Sequence, residues 1–95
     1  MQSENNSTGY QIRLFIAGQT SKSEIAIANI QHIFARLEIP LELMIVDVLE
    51  DPEIAEQYRI LATPTLIKLS PLPVRRIIGD LSDESKLYSG LGIVR

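Results

Sequence analysis

The chain has 95 residues, a net charge of −3, 45% hydrophobic residues and 22% charged residues. This is the composition of an ordinary globular domain, with material for one small, thin core rather than two. The acidic balance and scattered basic residues exclude a general nucleic-acid binder, and the absence of cysteine excludes disulfides, thiolate metal sites and a thiol nucleophile.

The opening "MQSENNSTGY" is polar and has no apolar signal-peptide core, so residues 1–9 read as a disordered tail before a single domain over 10–95. No apolar run approaches the roughly 20 residues needed to span a bilayer. The expected setting is cytoplasmic, with neither membrane nor nucleic acid as a partner. In "YQIRLFIAG", Ile12, Leu14 and Ile16 alternate with Gln11 and Arg13, which signals a strand. Phe15 interrupts the polar side and predicts cover on both faces. Ser21 and Glu24 of "SKSE" stand at capping-box spacing, and Ile27, Ile30, Ile33, Phe34 and Leu37 recur at helical spacing. The pattern predicts a helix over 22–37, which Pro40 prevents from continuing.

"LELMIVDVL" at 41–49 reads as a buried strand, parallel to the first through a crossover helix. In "EDPEIAEQYRIL", Asp51 suits an N-cap, Pro52 suits the first helical position, and acids crowd the positive end of the helix dipole. A short helix over 52–58 follows. "TLIKL", "SPLP" and "VRRIIG" read as strand, turn and strand in an antiparallel hairpin. "LSDESKLYSGL", with Ser82 and Ser85 spaced for a cap, predicts a closing helix. The prolines at 64, 71 and 73 fall among these strands, where proline normally demotes a strand.

This order, β-α-β-α-β-β-α, resembles the thioredoxin-like α/β arrangement. "YRILATPTLIKL" is similar to the thioredoxin stretch that leads into a Pro-Thr-Leu strand, and the resemblance implies a cis peptide before Pro64. The dithiol chemistry of that family does not carry over, because the place of its Cys-x-x-Cys pair reads "AGQTSKSE". A closer resemblance covers nearly the whole chain. "LATPTL" followed by "LPVRRIIGDLSD", with "YQIRLFIAG" and "VDVLEDPEIAE" before them, resembles the KaiB family of clock proteins.

The resemblance implies a non-catalytic, cofactor-free regulator that binds a KaiC-type ATPase ring. It further implies indirect engagement of KaiA or of a KaiC-linked histidine kinase, and self-association to a dimer or tetramer. That family is metamorphic: a tetramer with its own ground-state fold and a thioredoxin-like monomer share the first half and differ in the second. On this reading Pro64, Pro71 and Pro73 keep either arrangement from being optimal, and Tyr10, Gly90 and Gly92 tip the balance. Local structure offers plainer roles, a turn for Pro71 and Pro73 and a helix C-cap for Gly90.

The implied partner-binding residues are Glu56, Arg59, Ile60, Arg75 and Arg76. Arg59 follows the short acidic helix, where the family places a basic docking residue; a solvated surface arginine is the alternative. Arg75 and Arg76 alternate along a strand and so face opposite ways, and a charged edge that discourages strand pairing is their alternative. Asp80 and Asp83 have no general-acid partner beside them and read as helix caps. His32, the only histidine, lies opposite the aliphatic stripe and does not read as a metal ligand. Ile25 and Ala28 replace basic residues of the clock proteins, Met44 replaces a lysine near the KaiA contact, and the chain ends at Arg95 without that family's aromatic residue and acidic tail. These departures favour a divergent paralogue with a stress or signalling role as the alternative to a clock component. The sensor domain of a KaiC-responsive kinase is a further reading, which "PVRRIIGDLSD" disfavours.

Overall fold

The structure, a computed structural model, describes residues 9–79 and 81–93. Residues 1–8 of the predicted tail and the candidate cap Asp80 lie outside the described residues. The elements run β1 (Tyr10–Ile16), α1 (Ser21–Leu37), β2 (Leu41–Asp47), α2 (Pro52–Gln57), β3 (Thr65–Ser70), β4 (Arg75–Ile78) and α3 (Glu84–Leu91). This is the predicted β-α-β-α-β-β-α order. The four strands form one sheet in the order β2-β1-β3-β4. β1 and β2 are parallel, with Tyr10 opposite Leu41, while β1–β3 and β3–β4 are antiparallel.

Alternation along β1 sets the two layers. Ile12, Leu14 and Ile16 point to the face covered by α1 and α3, where they pack with Ile30, Phe34, Leu66 and Leu87. Phe15 points the other way and joins Val46 and Ile67 in a smaller cluster, against which Ile54, Tyr58 and Ile60 pack. Both faces are therefore covered, as Phe15 predicted. Burial of each such side chain stabilises by about 1.5–3 kcal/mol. Among the described residues no helix is long and apolar enough to cross a membrane.

Several local expectations are corrected. The capping box of α1 lies one residue earlier than Ser21–Glu24: Thr20 Oγ1 accepts from Ser23 N–H at 3.1 Å, and Ser23 Oγ accepts from Thr20 N–H at 2.9 Å. Ser21 is already helical, and Glu24 remains an exposed first-turn acid. β2 is not a buried strand. It has β1 alone as a neighbour, and Met44 and Ile45 remain 51% and 43% exposed. Asp51 precedes α2 without a side-chain cap bond. The carboxylate that organises this corner is Asp47, which accepts from Gly18 N–H at 3.1 Å and Leu49 N–H at 3.0 Å. At α3 the cap is Asp83, accepting from Ser85 N–H at 2.9 Å, rather than Ser82. Gly90 is not a C-cap. It lies within α3, where a Cβ would fall 2.5 Å from Ile77 Cδ1, and the left-handed cap is Gly92 at φ +74°.

Candidate functional site

The groove that follows α2 begins with a short helix. Pro52 fixes φ at its first turn, and the six residues end in a turn through Tyr58 and Arg59. Tyr58 anchors that turn to the sheet. Its ring centroid lies 5.5 Å from that of Phe15, the Arg13 guanidinium sits 5.2 Å from the ring centroid, and Arg13 also donates to the Tyr58 hydroxyl. After the turn the chain runs through Ile60 and Leu61 to Thr63 and Pro64. The Thr63–Pro64 peptide is cis, as the resemblance implied. Pro64 is buried, and its carbonyl accepts from Gly79 N–H at 3.2 Å. Thr65 Oγ1 donates to Ala62 O at 2.6 Å, which closes the base of the loop.

With its base fixed, the loop presents its apolar side chains outward. Leu61 is 95% exposed and Leu49, across the corner, is 71% exposed. Pro52, Ala55, Glu56, Arg59, Ile60 and Leu61 line one open groove, which continues toward Val48 and Thr63. Three of the five partner-binding residues named from sequence, Glu56, Arg59 and Ile60, thus meet on one surface with both charges at its rim.

The two remaining arginines point apart. Arg76 lies opposite Ile67 on the α2 face, and its Nη2 and Nη1 donate to Tyr58 O at 2.7 Å and Arg59 O at 3.1 Å. Arg75 lies opposite Lys68 on the α1–α3 face and packs beside Gly92. It is not part of the groove.

The residues named for switching gather mostly at the far end of the sheet. Tyr10 packs edge-on to Phe34, with ring centroids 5.1 Å apart. The Lys68 ammonium is 5.6 Å from the Tyr10 ring centroid. Gly92 lies beside Arg75, and Gly90 backs onto Ile77. Pro71 and Pro73 form the exposed β3–β4 turn, each after a cis peptide. Pro64 stands apart, buried just after Thr63 at the end of the groove. Sequence reasoning did not single out Lys68, which is only 3% exposed although its ammonium lies toward the rim. Desolvation first, and the Arg75 charge second, hold its amine below the usual lysine range. Among the described residues no ion pair neutralises it; the pair present there joins Arg36 of α1 to Glu84 of α3 at 3.0 Å. No group of three or more acidic or histidine side chains among the described residues is placed to hold a metal.

The family model for the KaiB domain matches residues 13–93, from β1 to just beyond α3. Two relatives are described as "Circadian clock oscillator protein KaiB". The one from Synechococcus elongatus is 46% identical, covering 90% of this chain and 84% of the relative. The one from Acaryochloris marina is 43% identical, covering 90% and 83%. Among solved structures, the N-terminal domain of Synechococcus elongatus SasA matches with a TM-score of 0.75 and 25% identity, over 97% of this chain and 91% of that one. The thioredoxin Deadhead from Drosophila melanogaster matches with a TM-score of 0.69 at 17% identity, over 90% and 80%, which shows the shared thioredoxin-like fold. A thioredoxin-like frame without cysteine, the Pro64 loop beside a charged and apolar groove, and relatives of one description along nearly the whole chain lead to one assignment: the chain belongs to the KaiB family.

Proposed function

We propose that this chain is a non-catalytic regulator that docks the groove after α2 on a KaiC-type ATPase ring. The observation that carries the reading is the surface itself. Leu61 stands 95% exposed on a loop whose base is fixed, beside the Arg59 and Glu56 charges. An exposed apolar anchor with charges at its rim is the composition of a protein interface. Arg59 supplies a charge-assisted donor to an acidic or carbonyl group of the ring. Docking there displaces a sensor domain of the same fold from a shared site, a role that the likeness to the SasA domain supports. Met44, 51% exposed on the β2 edge in place of the family's lysine, favours a role in which KaiA is engaged weakly.

The chain also exchanges with a second arrangement of its C-terminal half, and self-associates to a dimer or tetramer in it. Lys68, enclosed opposite Arg75 without a carboxylate partner among the described residues, leaves the thioredoxin-like arrangement short of optimal. A single set of NMR resonances without exchange would count against this part.

Size-exclusion chromatography of the chain with a KaiC-type ATPase and ATP, followed over several hours, tests the docking. Co-elution with the hexamer is expected, weakened by Arg59→Ala. Absence of co-elution after prolonged incubation overturns the reading and leaves a paralogue with another partner.

A further inference from the structure

The turn that carries Arg59 is held in an unusual way. α2 has six residues and buries none of them, well below the ~12–15 residues at which an isolated helix becomes even marginally stable in water. Its end is nonetheless closed by two backbone bonds, Arg59 N–H to Glu56 O at 3.1 Å and Ile60 N–H to Ala55 O at 2.9 Å. This is the bond pair of a Schellman cap, and it places Arg59 at φ +55°. A side chain is strained there, and glycine is the usual occupant.

The other helices meet the same demand differently. α3 ends with the same pair of bonds and uses a glycine, Gly92. α1 also ends so, with Glu38 at φ +56°, but its 17 residues include a buried face with Ile30 and Phe34. α2 has no glycine at this turn, and only Ile54, half-buried, packs its short face against the sheet. It has Arg76. The guanidinium of this residue, on β4, bonds the carbonyls of Tyr58 and Arg59, two consecutive groups at the negative end of the helix. A planar fork matches two such acceptors in charge and in geometry. From β1, on the other side of β3, Arg13 bonds the Tyr58 hydroxyl. The turn is thus gripped from two strands.

We infer that Arg76 is a positioning residue: it clamps the left-handed Tyr58–Arg59 turn from β4 and so sets where Arg59 stands on the groove, without itself meeting the partner. The consequence for binding rests on the docking proposed above; the clamp does not.

NMR of the free protein tests the clamp. Arg76→Met and Arg76→Lys should each speed amide exchange at Ile60 by about tenfold and move the Arg59 backbone coupling away from its left-handed value. Lysine keeps the charge but cannot fork two carbonyls. Arg75→Met, on the opposite face, should change neither. Unaltered Ile60 exchange in Arg76→Met overturns the inference. A double-mutant cycle on binding to a KaiC-type ATPase hexamer with ATP tests how the clamp acts. Arg76→Met alone should weaken binding by about tenfold, and Arg59→Ala with Arg76→Met should bind no more weakly than Arg59→Ala. Losses that multiply make Arg76 a direct contact and overturn the positioning role. If the unaltered protein does not bind the hexamer, the docking reading fails, and the exchange measurements alone decide the clamp.

Discussion

On one face of the sheet, α1 and α3 bury Ile30, Ile33, Phe34, Leu87 and Leu91 against β1 and β3. On the other, α2 buries none of its residues fully: Ile54 packs half-buried against the small Phe15–Val46–Ile67 cluster, and the turn that follows is held by Tyr58 and by two arginines from the sheet. The first face is stabilised by apolar area, which is non-directional and tolerant of small shifts. The second has a smaller apolar cluster and adds directional polar contacts at the end of α2, which set position more than they add stability. The docking proposed above needs fixed geometry and exposed apolar groups together, and the α2 side has both.

Each face can be disrupted on its own. Phe34→Ala should give the largest effect, a loss of about 3–5 kcal/mol in urea unfolding, because its ring is enclosed between α1 and the sheet. Tyr58→Ala should cost about 2 kcal/mol, since its ring is half-buried. Its signature should be local: amides of 53–60 exchange faster while those of α1 keep their protection. If both variants open α1 and α2 to the same extent, the two faces form one cooperative unit and the contrast fails.

Lys68 puts a charge on the α1–α3 face. Its folded-state proton affinity is lowered, by desolvation first and by Arg75 second. The penalty of the partly desolvated ammonium is full below that lowered value. It is relieved as pH rises from there toward the ordinary lysine value, so stability rises with pH across that alkaline window. Lys68→Met should raise stability slightly at neutral pH and flatten this slope. Thermal unfolding of both proteins from neutral to alkaline pH checks it. The smallest effect belongs to the Arg36–Glu84 pair, which is solvent-accessible on both sides. Arg36→Ala should leave the melting temperature unchanged at physiological salt, where exposed pairs are screened.

Much of this was readable from the residues. Periodicities of Ile12–Leu14–Ile16 and Ile30–Ile33–Phe34 placed β1 and α1, and Phe15 announced the second covered face. Composition did not distinguish an edge strand from a central one, so β2 read as buried although Met44 faces solvent. The Thr20–Ser23 cap is not legible in the residues, because a serine that bonds back to the cap amide leaves no charge signature. Arg59, Glu56 and Ile60 entered through the family resemblance, and the structure places them on one groove. The resemblance also implies Arg76, but its grip on the Tyr58–Arg59 carbonyls depends on β4 lying beside the α2 turn, which no local pattern carries. Asp47 at Gly18 is legible only once β1 and β2 are paired.

Hydrogen exchange of the chain, free and bound to a KaiC-type ATPase hexamer with ATP, is the decisive test of docking through the groove. The prediction is new protection confined to the groove segment, residues 52–63, with α1 and the β2 edge unchanged. Protection that appears on α1 or along β2 while 52–63 stays as exposed as in the free chain would contradict it.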